Sequence, residues 1–139
     1  KMPLPFQLDH INVWLIEEED GWTLVDTGIN NVETKNLWLK LLPSLTHKGH
    51  LTRLICTHAH PDHMGLAGWF CREFELELWT TQNEWHRGIQ LSRNRNQEEK
   101  EFTNHFIRAG CSANQIETLS KQILASHRFY EKVPYEYES

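Results

Sequence analysis

The stretch "ICTHAHPDHMG", residues 55–65, places three histidines and an aspartate within six positions behind an apolar run. That run, "LTRLICT" (51–57), is apolar enough on both faces to read as a strand inside a sheet. Its C-terminal end delivers His58, His60, Asp62 and His63. While residues 57–60 stay extended, His58 and His60 project to the same side, because side chains alternate with period two. Two imidazoles on one side can grip one ion at nitrogen-to-metal distances of about 2 Å. Pro61 fixes its own φ and biases the residue before it away from helix, which keeps the pair extended. Asp62 and His63 fall at the turn into the next helix, free to meet a second ion. Gly65 and Gly68 leave room for backbone to approach closely. The pattern suggests two adjacent metal positions, each needing ligands from elsewhere; the plain alternative is an exposed histidine-rich loop without metal.

Upstream, "FQLDHINVWLI" (6–16) and "WTLVD" (22–26) read as two strands joined by the acidic turn "EEEDG", whose Asp-Gly end is a hairpin signal. "TGINN" breaks the second strand, and Asn30 or Asn31 can cap a helix running to about Leu42, with Leu37 and Leu41 four apart and Pro43 limiting its length. Downstream, Leu66, Phe70 and Phe74 follow helical spacing, and "LELWT" (76–80) reads as a fourth strand. The remainder is helical. Thr81 with Glu84, and Ser112 with Gln115, form capping-box patterns, while Phe102, Phe106 and Ala109 line one face of a helix that Gly110 can end. Strands alternate with helices over the first 80 residues, so the class is α/β. Residues 1–139 read as a single domain.

The chain has 139 residues, enough for one domain, and its composition is that of a globular protein. Its net charge of −5 offers no general attraction to nucleic acid or anionic membranes. No apolar run approaches the roughly 20 residues of a membrane-spanning helix. "KMPLPFQLDH" lacks the apolar core of a signal peptide. Cys56, Cys71 and Cys111 are odd in number and show no CxxC spacing, which favours reduced, mostly buried thiols and a cytoplasmic location. Taken singly, His10 (in a strand), His47 and His50 (in a polar loop), and His86, His105 and His127 (on helices) read as ordinary surface or interface residues.

HxHxDH behind an apolar strand resembles the signature of the metallo-β-lactamase-fold hydrolases. "LVDTG" (24–28), upstream at the end of the second strand, resembles that family's first motif. The resemblance covers roughly residues 6–80 and implies the N-terminal half of an αβ/βα sandwich, with the metals at one edge of two sheets. It implies that His58 and His60 ligate a first zinc and that Asp62 and His63 ligate a second. Asp62 would also orient or deprotonate the nucleophilic water, and Asp26 would hold the metal loop by hydrogen bonds without being a ligand. The family's third histidine, bridging aspartate and last histidine are not recognisable after His63. Residues 81–133 look like a helical insertion, or cap, following the fourth strand.

The implied function is zinc-dependent hydrolysis of a small-molecule ester, thioester, lactam or phosphoester. Iron or manganese could replace zinc, and an iron-dependent oxidoreductase of the same fold is the enzymatic alternative. A catalytically inert half-domain or interaction module is the non-enzymatic one. A lone half would leave the inner face of its sheet uncovered, so a homodimer is expected.

Overall fold

The hairpin signal at "EEEDG" is realised. Strands β3 (Trp14–Glu17) and β4 (Gly21–Val25) pair antiparallel in the computed structural model, which describes residues 1–5, 7–48, 50–93 and 95–135, with 46–48, 95–99 and 123 described through their backbone alone. β4 then runs parallel to β5 (His50–Ile55), and β5 parallel to β6 (Leu78–Trp79), giving the order β3-β4-β5-β6. A two-stranded sheet of β1 (Met2–Pro3) and β2 (His10–Ile11) lies upstream.

The strand expected over 6–16 is therefore two strands. Residues 12–13 break it, β2 pairs with the unforeseen β1, and Phe6 lies outside the described residues. His50 opens β5 and does not sit in a loop; the side chain of His47 lies outside the described residues.

Helix α1 (Val32–Leu41) is capped by the Asn31 side chain, which accepts from the Thr34 amide at 2.7 Å. Its buried face carries Thr34 and Trp38, whereas Leu37 and Leu41 are exposed. Trp38 wins that face because its indole N–H reaches the Thr27 carbonyl at 2.7 Å while its ring meets Phe70 edge-on at 5.2 Å. Pro43 does not stop the chain from coiling: the residues after α1 form a 3₁₀ turn, Leu42–Lys48.

After the histidine-bearing loop come α2 (Pro61–Met64) and α3 (Ala67–Phe74), which packs against β5. Trp69, Phe70 and Phe74 stack on one another, so the helical spacing read from the sequence is a true core face. Next are α4 (Gln82–Arg93), α5 (Arg95–Arg108) and α6 (Ala113–His127). The Ser112–Gln115 capping box closes the start of α6, and Phe102 stacks on Phe106 along α5. No helix among the described residues is long and apolar enough to cross a membrane.

The stretch after α6 returns to the core. Phe129, Tyr130 and Val133 are buried, Asn30 donates its amide to the Phe129 carbonyl at 2.9 Å, and Glu131 donates its amide to the Gly65 carbonyl at 2.7 Å. This close approach explains two glycines. A Cβ on Gly65 would stand 2.5 Å from the Phe129 carbonyl oxygen, and one on Gly68 would stand 2.1 Å from that of Lys132. Cys56 is buried in the core, Cys71 packs at its margin, and Cys111 is half-buried in the α5–α6 turn; all three are free thiols. His127 is also buried and not at the surface, with Nδ1 at 2.5 Å from the Leu91 carbonyl.

The sheet has two unlike faces. Leu15, Leu24, Leu54 and Leu78 align across the four strands toward the core, and Leu24 and Leu54 are fully buried. Trp14, Val25, Ile55 and Trp79 align on the opposite face, where Trp14 is 63% and Trp79 52% exposed. Arg53 lays its guanidinium over the Trp79 ring at 4.8 Å.

Glu131 also ties three segments together electrostatically, accepting from Lys35 of α1 at 2.6 Å and Arg72 of α3 at 3.1 Å. Burial alone would raise its pKa, but those two cations outweigh burial and hold the carboxyl below its usual range. A folded-state pKa below the unfolded one contributes stability that is present above the unfolded value and lost as pH falls through the folded one. Glu131→Gln is therefore expected to cost about 1 kcal/mol at pH 7. Urea melts should show this difference shrinking below about pH 4.3, the unfolded carboxyl pKa.

Candidate metal centre

Parallel pairing of β4 and β5 sets Val25 beside Ile55, so the two chain segments leave the sheet together. Asp26 follows immediately, with φ of 62°, a left-handed conformation that aspartate tolerates better than most residues. Its carboxylate is 4% exposed and accepts from the Thr57 amide at 2.8 Å, from the Thr57 hydroxyl at 2.9 and 3.0 Å, and from His63 Nδ1 at 2.8 Å. Thr27 extends the same grip. Its amide and hydroxyl both donate to the His63 carbonyl, and its hydroxyl oxygen accepts the Leu66 amide at 3.0 Å.

The loop so held brings His58, His60 and His63 into contact. His58 Nε2 stands 3.1 Å from His60 Nδ1, and the His58 and His63 rings lie 4.0 Å apart. Thr57 commits its one hydroxyl hydrogen to Asp26, so His58 Nδ1 donates to the Thr57 oxygen at 3.0 Å and Nε2 keeps its lone pair. Burial lowers the His58 pKa, and the neighbouring His63 and His60 lower it further, which favours the neutral, ligand-competent ring. His63 behaves oppositely: hydrogen bonds to Asp26 and Asp62 push its pKa up to about 9. Burial acts to raise the Asp62 pKa, but His63 outweighs it and keeps that carboxyl below its usual range. Asp62 Oδ2 lies 3.3 Å from His63 Nε2.

The donor chemistry fits a metal in part. Two nitrogens on one tetrahedral ion stand about 3.3 Å apart, given bonds of about 2.0–2.1 Å, and the His58–His60 pair is close to that at 3.1 Å. Asp26 behind His63 matches the carboxylate–histidine couple that fixes the orientation of metal-bound imidazoles. Yet no group of three or more His, Cys, Asp or Glu among the described residues is arranged to hold an ion. His86 and His105 lie exposed on α4 and α5, and His127 is engaged with Leu91, so none of them completes the cluster here.

Two residues at the loop escaped the sequence reading. Glu84, at the start of α4, donates its amide to the Thr81 hydroxyl at 3.3 Å, but its carboxylate accepts the Ala59 amide at 2.7 Å. The expected capping box is thus half formed. Tyr130 donates its hydroxyl to the Ala59 carbonyl at 2.7 Å. Glu84 carried a signal of the wrong kind, and Tyr130 none, because its contact spans 71 positions.

Residues 7–127 match the Metallo-beta-lactamase superfamily. The chain belongs to that superfamily. It is 31% identical over 77 residues to the "Probable metallo-hydrolase YqjP" of Bacillus subtilis (strain 168), a match that covers 55% of this chain and 24% of that protein. Its fold is similar to the beta-lactamase domain protein of Burkholderia ambifaria (TM-score 0.78, 32% identity, 99% of this chain and 40% of the other). It is similar also to the metallo-beta-lactamase family protein TTHA1429 of Thermus thermophilus (TM-score 0.69, 23% identity, 97% and 44%). The chain therefore spans about a quarter of the curated relative and about two fifths of the two solved structures.

Asp26→Ala removes one acceptor from three donors, the amide and hydroxyl of Thr57 and the imidazole of His63. It is expected to lower stability by about 2–4 kcal/mol, as loss of a buried hydrogen-bonded charge does. Chemical denaturation checks this; a change under about 1 kcal/mol would count against the role described.

Proposed function

We propose that the chain carries the first part of a dinuclear hydrolase site, with His58 and His60 as ligands of one zinc and Asp62 and His63 as ligands of a second. The observation that carries this reading is the pairing of His58 Nε2 with His60 Nδ1 at 3.1 Å beside an Asp26-oriented His63. Zinc, when bound, supplies hydroxide at neutral pH by lowering the pKa of water from about 16 to about 7. Asp62, half-buried and kept below the usual carboxyl range by His63, would orient a nucleophilic water or take its proton. Asp26 and Thr57 orient the His63 and His58 rings through their Nδ1 atoms, and His63 would give up its Nε2 proton on taking a metal. The substrate is a small-molecule ester, thioester, lactam or phosphoester, and the location is cytoplasmic. The helices of residues 81–133 form an insertion beside the metal edge.

Equilibrium zinc titration by calorimetry tests the ligand set. His58→Ala and His60→Ala should each abolish binding at the first position, whereas His105→Ala should leave it unchanged. Equal loss from all three would place the site elsewhere, and iron retained in preference to zinc would favour redox chemistry. Asp62→Asn should reduce turnover while leaving the thermal transition in place.

The row Trp14–Val25–Ile55–Trp79, exposed at its two edge tryptophans and half-buried at Val25 and Ile55, supports a second element of this reading, that a further copy of the chain covers this sheet face. Light scattering at micromolar concentration should report a dimer, and Trp14→Glu should return it to monomer. A monodisperse monomer for the unsubstituted chain would remove the idea.

A further inference from the structure

Beyond Ile55 the chain leaves the sheet ladder, and its backbone groups find partners one at a time. The Cys56 amide still donates to the Trp79 carbonyl at 2.9 Å, and the Thr57 amide turns to Asp26. The His60 carbonyl accepts from the first turn of α2. Ala59 lies between these anchors, fully buried, and both of its peptide groups go to side chains from distant segments. Glu84 takes its N–H and Tyr130 its C=O, each at 2.7 Å.

The two bonds act on different peptide planes. The Ala59 N–H belongs to the plane that joins it to His58; the Ala59 C=O belongs to the plane that joins it to His60. Fixing both planes fixes the directions in which the two imidazole stems leave the backbone. A bond to a carboxylate is also shorter and stronger than one between neutral groups. Glu84 reaches the loop by forgoing the reciprocal bond of its own helix cap, whose Thr81 half is present at 3.3 Å. Tyr130 is held in turn by its own backbone, whose carbonyl accepts from the Asn30 side chain at 3.3 Å.

We infer that Glu84 and Tyr130 are positioning residues that clamp Ala59 and thereby set the separation of the His58 and His60 imidazoles. The consequence for metal binding rests on the assignment of those histidines as ligands; the clamp itself does not. The α4 helix and the stretch after α6 are then parts of the metal-loop support, and not a detachable cover.

The experiment measures amide hydrogen exchange at Ala59 by NMR and zinc affinity by calorimetry, on the full chain. Glu84→Ala should speed Ala59 exchange at least tenfold while the unfolding transition stays cooperative. It should weaken the first zinc position by roughly 10-fold, the lower end of the loss seen when a ligand's supporting partner is removed. Glu84→Gln keeps an acceptor oxygen and should restore both values to within about threefold. Tyr130→Phe, which removes one oxygen, should weaken zinc comparably. Unchanged Ala59 exchange in Glu84→Ala would overturn the proposal, as would acceleration of equal size at amides throughout the chain. Absence of zinc binding by the unsubstituted chain would overturn the ligand assignment instead, with the clamp still decided by exchange.

Discussion

A buried carboxylate must find donors, and the rest of this site follows from how Asp26 does so. Its left-handed backbone turns the side chain across the ends of β4 and β5, where Thr57 and His63 reach it. Satisfying Asp26 therefore brings the start of the histidine loop and its last histidine to one point. Thr27 repeats the logic with uncharged groups, binding the His63 carbonyl and the Leu66 amide, and its own carbonyl anchors Trp38. One strand end thus connects the sheet, the loop and both flanking helices. The location agrees with the general behaviour of α/β sheets, which place sites outside the carboxyl ends of their parallel strands.

Much of this was legible in sequence because it is periodic or local. The apolar run at 51–57, the acidic hairpin turn, the Ser112–Gln115 box and the spacing of Phe70 and Phe74 all depend on neighbours within a few residues. The strand-period argument for His58 and His60 did not carry over, because β5 ends at Ile55 and residues 57–60 bend; it is this bent loop that brings the two nitrogens to 3.1 Å. The other readings that failed depended on long-range competition. Leucines at 37 and 41 looked like a helix face, but Trp38 has an indole N–H with a specific acceptor 11 positions away. Glu84 looked like half of a local cap, and an amide 25 positions away outcompeted it. His127 looked like a surface residue because nothing local shows that Leu91 would cover it.

The two faces of the sheet show how differently a strand's alternate residues can be used. Leucines fill one face and are covered by helices of the same chain. The other carries tryptophan at both edges, with an arginine laid over one of them. An aromatic, cation-capped surface of this kind buries large area at small entropic cost when something covers it, since tryptophan has few rotamers to lose. Helical covering of the first face therefore leaves the second available without loosening the core.

The return of residues 129–133 to the core has a consequence for the timing of assembly. Asn30 is tied to Phe129 and Tyr130, and the Ala59 carbonyl to the Tyr130 hydroxyl. During synthesis the strands and the histidine loop emerge first. At about 5–20 residues per second, the 50 residues between Thr80 and Tyr130 take roughly 3–10 s to add. Over that interval the nascent sheet can pair and α3 can stack, but the loop lacks its last partner. The histidine loop therefore gains the Tyr130 half of its clamp only after a further 71 residues have been added beyond Ala59.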